Sequence, residues 1–282
     1  MATPSRGLSL HIGLDHVDST KYHDRDGKPC DGALPTCEAD ARDLAALTGS
    51  QGFEPTLLLT ADATADGILA GIRTAAGTLG SGDMYVLTFS GHGGSVDDLN
   101  GDEDDAKDET WVTYDRQLVD DELYQALTGF APGVRVLALS DSCHSGTVMR
   151  RNLPPGGDPP RRRTRKAKAM PKDVADADQA ARASLYRKIQ RTVPDVGASI
   201  EQLKAEVLLL SACTDKQLAY IGPRHSVFTG VVLRTWDRGR FQGSYRDFYQ
   251  AVLAAMPSDQ TPQWSPPAQT DPPFVAQRPF TI

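Results

Sequence analysis

Short apolar runs alternate with amphipathic segments along the chain, and this order constrains the fold more than any other feature. The apolar runs are LSLHIGL from Leu8, PTLLLT from Pro55, MYVLTFS from Met84, WVTY from Trp111 and RVLALS ending at Ser140. Segments with helical periodicity separate most of them, at 39–48, 64–79 and from Asp120. Continuous Val- and Leu-rich runs are typical of strands buried on both faces of a mostly parallel sheet. The sequence therefore predicts a doubly wound α/β fold.

The second half of the chain is less regular. The next apolar run, EVLLLSA from Glu206, comes after a long gap, 147–199. The gap contains NLPPGGDPPRRRTRKAKAMPKD, whose Pro, Gly and like charges disfavour compact packing. We interpret 147–199 as a basic, partly disordered linker between 1–146 and 200–282, within one domain that spans 1–282.

Two helices and a tail are expected after the linker. Amphipathic segments at 227–237 and 245–256 predict helices, the second with Ser244 as its N-cap. The Pro-rich tail from Pro262 is expected to run over the surface.

Composition excludes several classes of protein. The 282 residues are 39% hydrophobic, enough for a sizeable core, yet no apolar stretch reaches the about 18 residues of a membrane span. The N-terminus lacks the pattern of a secretory signal, so we expect a cytoplasmic protein that does not bind membranes. Four scattered cysteines without C-x-x-C spacing predict free thiols and no zinc, and nothing indicates an organic cofactor.

One segment is strongly basic although the net charge is -7. The range 150–191 holds thirteen Lys and Arg against four Asp. Pro and Gly, rather than aromatic residues, separate these charges, and no amphipathic helix carries them. We therefore expect no nucleic-acid binding.

Two strand ends carry residues suited to catalysis. The motif SGHGG at 90–94 follows one apolar run, and DSCHSG at 141–146 follows another. The carboxyl ends of parallel strands meet at one crevice, so His92 and Cys143 are expected to lie side by side. His92 would take the thiol proton, and the thiolate would attack a carbonyl carbon.

The developing oxyanion needs hydrogen-bond donors. The backbone N–H of Cys143 and that of Gly93 or Gly94 are the candidates. A buried structural thiol and a turn histidine are the alternative explanation, and for either residue alone it is the commoner one. The joint placement of His92 and Cys143 favours catalysis.

The motifs resemble a known peptidase family. His92 precedes Cys143 by 51 residues, close to the about 50 of caspases, but the caspase signature Q-A-C-[RQG]-G is absent. The segments SGHGG, VDDEL and VRVLALSDSCHSGT instead resemble metacaspases and prokaryotic orthocaspases, and the resemblance resumes at LLLSACTDKQLAY, VFT and TPQ. It implies a caspase-like fold with a six-stranded sheet, a large-subunit-like part at 1–146, a small-subunit-like part at 200–282, and a monomer.

The resemblance also implies cleavage of proteins or peptides after Arg or Lys. The family's acidic pocket would correspond here to Cys37, Asp40, Ser90 and Asp141. Two carboxylates in a cleft raise each other's pKa unless a cation lies between them, which supports the same conclusion independently. An exposed helix residue at Asp40 and a backbone cap at Asp141 are the alternatives.

The basic linker is an extended strand of the kind that such a pocket accepts. We predict self-cleavage within it, and the alternative is a solvated run of charges. The candidate residues are Arg161, Arg162, Arg163, Arg165 and Lys166.

Calcium is the one metal that the resemblance suggests, as an activator. The corresponding residues are Asp108, Asp120 and Asp121, but Val148 to Arg151 occupy the place of a further acidic ligand. A second pattern with calcium-loop spacing has Glu103 in place of the required Gly, so an acidic solvated loop is its commoner explanation. Its positions are Asp98, Asn100, Asp102, Asp104 and Glu109.

Two other functions remain open at this stage. One is a gated protease of another caspase-like branch, similar to a paracaspase or a separase. The other is an inactive caspase-like module that only binds a partner. The sequence leaves open whether calcium, a regulatory partner protein or a small ligand activates it.

Overall fold

The structure is a computed structural model that describes residues 5–97, 107–143, 165–214, 217–265 and 273–282. Its strands are β1 (Gly7–Gly13), β2 (Glu54–Leu59), β3 (Met84–Ser90), β4 (Gly93–Asp97), β5 (Lys107–Val112), β6 (Gln117–Val119), β7 (Arg135–Asp141), β8 (Glu206–Ser211) and β9 (Gln263–Ser265). Six of them form one sheet in the order β2-β1-β3-β7-β8-β9, parallel except for β9. The prediction of a mostly parallel six-stranded sheet is confirmed.

Helices cover both faces of this sheet. They are α1 (Cys37–Ser50), α2 (Ala65–Ala76), α3 (Asp120–Leu127), α4 (Lys172–Ala181), α5 (Ala183–Thr192), α6 (Val196–Gln202), α7 (Val227–Trp236) and α8 (Tyr245–Ala255). Side chains of a strand alternate between the faces, so Leu137 joins the cluster under α1, α7 and α8 while Val136 joins that under α2 and α3. Each fully buried Leu or Val contributes about 1.5–3 kcal/mol to folding.

Side-chain caps begin several of these helices where the sequence predicts. The Ser244 hydroxyl accepts the N–H of Asp247 at 3.2 Å, and the Asp247 carboxylate accepts the N–H of Ser244 at 2.8 Å, which confirms the predicted N-cap of α8. Thr64 caps α2 by accepting the N–H of Gly67 at 3.1 Å.

Two expectations about the fold are wrong in part. The run at Trp111 belongs to a separate antiparallel sheet, β4-β5-β6, and the indole stacks on Phe89 at 4.4 Å. The Pro-rich tail does not stay on the surface, because it supplies β9 and buries Phe274 and Phe280 in the core. Pro262 directly precedes β9, an edge strand of the sheet, and no proline lies within the strand itself.

The second half of the linker is helical. Helices α4, α5 and most of α6 lie within 147–199, and the buried carboxylate of Asp178 ties α4 and α5 to the small antiparallel sheet. Asp178 accepts hydrogen bonds from the Gln117 amide at 3.0 Å and from the Tyr186 hydroxyl at 2.6 Å. The Pro- and Gly-rich first half lies outside the described residues, apart from its end at 165.

The strand register brings the two motifs together. Ser90, the last residue of β3, pairs with Asp141, the last residue of β7. His92 and Cys143 each follow two residues later, at the carboxyl edge of the sheet.

Candidate active site

His92 is buried in the turn after β3. Its Nε2 lies 2.7 Å from the carbonyl oxygen of Gly32, so Nε2 carries the proton and donates it. Its Nδ1 is buried and accepts no hydrogen bond from the described residues. Burial lowers the pKa of His92 to about 4, although the Gly32 carbonyl opposes the shift. The imidazole is therefore neutral at neutral pH, with Nδ1 as the available base.

Cys143 lies in the turn after β7 with only 1% of its surface exposed. Its sulfur accepts the N–H of Ala219 at 2.9 Å. Burial raises the pKa of this thiol, but hydrogen bonds from Cys213 and Ala219 and the charge of Lys168 outweigh burial, so the pKa lies below its ordinary value. These contacts favour the nucleophilic thiolate.

The backbone of Gly93 packs directly against that of Cys143. A Cβ at Gly93 would lie 1.7 Å from the carbonyl oxygen of Cys143, so no other residue fits there. The N–H groups of Gly93 and Cys143 both donate to one oxygen, the carbonyl of Lys168, at 2.9 and 3.3 Å. Of the two glycines that the sequence left open, Gly93 is therefore the one that shares an acceptor with Cys143.

The acidic pocket contains a lysine of the same chain. The side chain of Lys168 is fully buried, and its Nζ donates to the hydroxyl oxygens of Ser90 at 2.8 Å and Ser226 at 2.9 Å. It also lies 3.0 Å from Oδ1 of Asp141, as an ion pair. Asp40 is linked to the ammonium through Ser90, because the Ser90 hydroxyl donates a hydrogen bond to the Asp40 carboxylate at 2.7 Å. Asp40, Ser90 and Asp141 thus surround one ammonium group.

Cys37 completes the set of residues predicted for this pocket. It is fully buried at the first position of α1. Burial raises the pKa of its thiol to about 12, with the charge of Lys168 acting in the opposite direction. The thiol is therefore neutral and forms part of the uncharged wall.

The start of α7 holds both pocket carboxylates, which the sequence did not predict. The N–H of Ser226 donates to Asp40 at 3.0 Å, and the N–H and hydroxyl of Thr229 donate to Asp141 at 3.0 and 2.7 Å. Burial raises the pKa of Asp141, and the ammonium of Lys168 acts against this shift. The α7 donors and Lys168 together stabilise the carboxylate in a site without water contact.

The self-cleavage candidates do not enter the pocket where the structure describes them. Arg165 pairs with Asp259, and the Lys166 ammonium donates to the carbonyl of Ala33. The other three lie outside the described residues: Arg161, Arg162 and Arg163. Lys168, which follows them in the same basic run, was not predicted, and nothing in the run distinguishes it from its neighbours.

The structure describes only some of the residues that the sequence predicts to bind calcium. Asp108 is buried and accepts a hydrogen bond from Gln190, and Asp120 and Asp121 open α3. In the described parts of the chain no three His, Cys, Asp or Glu side chains lie close enough to hold a metal ion. Asp98, Asn100, Asp102 and Asp104 lie outside those parts, so calcium remains a prediction.

A buried thiol and imidazole at the carboxyl edge of a six-stranded sheet, beside an acidic pocket, define a caspase-like cysteine peptidase site. The protein-family model described as "Caspase domain" matches residues 19–273 of the chain. The chain belongs to this family, whose members are cysteine-type peptidases.

Curated relatives support the same assignment at the level of metacaspases. The chain is 34% identical over 159 residues to metacaspase-1A of Neurospora crassa, which is 51% of this chain and 33% of that protein. It is 47% identical over 72 residues to metacaspase-1 of Eremothecium gossypii, 24% of this chain and 16% of that protein. The matched region therefore spans at most a third of these relatives.

Solved structures agree with the fold. The protein GSU0716 from Geobacter sulfurreducens superposes with a TM-score of 0.86 at 42% identity, covering 98% of this chain and 99% of that one. Caspase-1 from Spodoptera frugiperda superposes with a TM-score of 0.54 at 13% identity, covering 93% and 86%, which shows a shared fold. Across the described residues, none of the helices has the length and apolar character needed to cross a bilayer.

Proposed function

We propose that this protein is a cysteine endopeptidase that cleaves after Lys or Arg, and that its first substrate is its own Lys168–Ala169 bond. The observation that carries the proposal is the double anchoring of Lys168. Its ammonium lies among Ser90, Asp141 and Ser226, while its carbonyl oxygen accepts the N–H groups of Gly93 and Cys143. A peptide bond awaiting attack needs both contacts at once.

The proposed chemistry uses only groups of this chain and one water molecule. The sulfur of Cys143 attacks the carbonyl carbon of Lys168, and Nδ1 of His92 takes the thiol proton. The same proton then goes to the nitrogen of Ala169 as the peptide bond breaks, which leaves a thioester. Water, deprotonated by His92, hydrolyses the thioester and leaves a carboxylate on Lys168 and a free thiol.

The oxyanion of each step would be held by the N–H groups of Gly93 and Cys143. Removing one such donor from an acyl-transfer site typically lowers kcat by about 10²–10³. The 2.9 and 3.3 Å distances are those of the uncut carbonyl, and a tetrahedral oxyanion would draw closer to both donors.

The preference for a basic residue follows from burial of the pocket. Asp141 is 2% exposed, so a neutral substrate side chain would leave its buried carboxylate without a cationic partner. Breaking a buried ion pair by removing one partner costs about 3–5 kcal/mol. That cost corresponds to a selectivity of about 10² or more over a neutral residue.

The uncut chain would block its own cleft, because Lys168 fills the pocket that a substrate needs. Cleavage frees the carboxyl end at Lys168 to leave, while α4 and α5 keep the residues after the cut attached. The two fragments would stay associated.

Mass spectrometry of the purified chain tests self-cleavage, with and without calcium or a chelator. Wild-type protein is expected to give fragments 1–168 and 169–282, and Cys143→Ala is expected to remain whole. Lys168→Gln should abolish this cut, whereas the matched control Lys166→Gln should retain it. The same fragments from Cys143→Ala would contradict self-processing.

A panel of peptides ending in Lys, Arg, Asp or Gln before a reporter group tests specificity on the processed enzyme. Lys and Arg peptides should be cut at least about 10²-fold better, in kcat/KM, than the Gln peptide. Cleavage after Asp would contradict the pocket assignment. No turnover of any peptide, with calcium or with chelator, would favour the inactive binding module.

A further inference from the structure

We propose that the cleft has a second specificity site, formed by Asp259 and Tyr220, that selects an Arg or Lys at the fourth position before the cut. The proposal rests on the proposed cleavage after Lys168, which makes Arg165 the fourth residue before the cut. Arg165 is the residue that Asp259 and Tyr220 hold in the uncut chain. We call this pair of residues the fourth-position site.

The strand that enters the cleft binds as an extended peptide would. The N–H of Lys168 donates to the carbonyl of Ala219 at 2.9 Å, and the N–H of Ile221 donates to the carbonyl of Lys166 at 3.0 Å. Ala167 and Tyr220 form the antiparallel bridge between them. Addition of a strand to an exposed edge binds the peptide backbone whatever its sequence, so any substrate would place its fourth residue where Arg165 lies.

The fourth-position site contacts the guanidinium in two ways. A nitrogen of Arg165 lies 2.5 Å from a carboxylate oxygen of Asp259. The guanidinium carbon also lies 4.7 Å from the centre of the Tyr220 ring, a cation–π contact. A carboxylate and an aromatic face together recognise a cation, and neither favours a neutral or acidic side chain.

The turn that carries Asp259 is held in place before any substrate arrives. Asp259 lies in a turn after α8, closed by the N–H of Gln260 on the carbonyl of Pro257 at 3.0 Å. The buried Gln260 side chain fastens this turn to the core, because its amide donates to the carbonyl of Ala212 at 3.2 Å. A carboxylate on a fixed turn loses less freedom on binding than one on a mobile loop, which increases its effect on affinity.

The third position shows less selection. The ammonium of Lys166 meets only a neutral partner among the described residues, the carbonyl oxygen of Ala33. The fourth position therefore adds charge selection that the third lacks. The side chains of Arg165 and Asp259 are 35% and 47% exposed, so water and salt weaken their attraction. We expect a preference of about 5- to 10-fold rather than the 10² or more of the buried pocket.

Two peptides of the same composition test the proposal on the processed enzyme. One carries Arg-Ala-Ala-Lys before the reporter group, and the other Ala-Arg-Ala-Lys, so total charge is constant and only the position of Arg differs. The first should have a kcat/KM about 5- to 10-fold higher. Asp259→Asn should reduce this ratio to about 2, and 0.5 M salt should reduce it in the wild type.

Two further variants sharpen the test. Asp259→Lys should reverse the preference, so that Glu-Ala-Ala-Lys is cut faster than Arg-Ala-Ala-Lys. Glu201→Gln, a carboxylate-to-amide change on the exposed end of α6, is the matched control and should keep the wild-type ratio. A ratio that is near 1 in the wild type, or unchanged by Asp259→Asn, would overturn the proposal.

A binding measurement separates this proposal from the proposed function. The variant Cys143→Ala, Arg165→Ala, Lys168→Pro cannot cut and keeps its own basic side chains out of both sites. The introduced proline also lacks the N–H that holds the chain's own strand to the carbonyl of Ala219, so an added peptide can displace that strand. Fluorescence anisotropy of the two labelled peptides on this variant should show tighter binding of Arg-Ala-Ala-Lys, dependent on Asp259. If no peptide is cut by the wild type but this difference in binding persists, the fourth-position site stands and the peptidase function fails. Equal binding of the two peptides would overturn the fourth-position site whether or not the enzyme cuts.

Discussion

The ammonium of Lys168 lies 3.0 Å from the carboxylate of Asp141, and both side chains are almost completely shielded from water. Burial of Asp141 alone raises its pKa, and Lys168 opposes this. Loss of the Asp141 charge would therefore destabilise the uncut chain, apart from the proposed role of the pair in recognition of the bond at 168–169. Its two roles can be measured separately.

Asp141→Asn is expected to destabilise the uncut chain by about 3–5 kcal/mol, because it leaves the buried ammonium of Lys168 without its charged partner. Urea unfolding in a Cys143→Ala background, which prevents cleavage, measures the effect. Addition of Lys168→Met should recover part of the loss. The partly exposed pair Lys172–Asp176 is the control, and Asp176→Asn should change stability by less than about 1 kcal/mol. A loss below about 1 kcal/mol for Asp141→Asn would contradict the buried ion pair.

Gly93→Ala is expected to abolish self-cleavage, with a rate at least about 10²-fold lower. The new Cβ would lie 1.7 Å from the carbonyl oxygen of Cys143, so the backbone and one oxyanion donor must move. Gly80→Ala is the matched control, because its Cβ would meet nothing within 4 Å. Gel electrophoresis over time measures both rates. Wild-type cleavage by Gly93→Ala would argue against the proposed oxyanion donors.

Thr229→Val should raise KM for Lys peptides about 5-fold and leave kcat nearly unchanged. The substitution removes the hydroxyl that donates to Asp141 at 2.7 Å but keeps the backbone donor and the side-chain shape. Thr229 acts as a positioning residue through Asp141, so Thr229→Ser should restore the wild-type KM. Steady-state kinetics on the processed enzyme provides both constants. An equal fall in kcat would indicate a role in the chemistry instead.

The buried side chain of His11 is expected to make the folded protein less stable in mild acid. Its ring is buried between the hydroxyls of Thr48 and Thr88, at 2.9 Å from each, and burial lowers its pKa to about 3. His11 takes up a proton near pH 6.5 in the unfolded chain but not in the folded chain. Its contribution to the stability of the fold is therefore complete above pH 6.5 and is lost as the pH falls toward 3. The slope is about 1.4 kcal/mol per pH unit for one histidine.

Urea unfolding of the Cys143→Ala chain at pH 7, 6 and 5 measures this slope. His11→Gln should reduce the slope by about 1.4 kcal/mol per pH unit, the value for one proton. His92, whose pKa is lowered to about 4, continues to contribute to the remaining slope. His16→Gln is the control, because that residue is exposed. Equal slopes for the wild type and His11→Gln would show that His11 is protonated in the fold.

The strand and helix pattern could be predicted because it depends on local periodicity. The apolar runs that became β1, β3, β7 and β8 are read directly from residue types, and so is the N-cap Ser244. The tail was misjudged because its prolines signal a loop, whereas the partner strand β8 and the core around Phe280 decide its place. Helices α4 and α5 were missed because the charges and prolines before them dominated the interpretation.

The sequence by itself determined the candidates for the chemistry, since His92, Cys143, Asp40 and Asp141 stand in motifs whose spacing is local to two strand ends and one helix. Only the tertiary structure decided which cation those carboxylates hold. Lys168 and the start of α7 are distant from the motifs in the chain, and they reach the pocket through strand addition and helix packing. A basic run contains many similar residues, and only the backbone path across the cleft selects one of them.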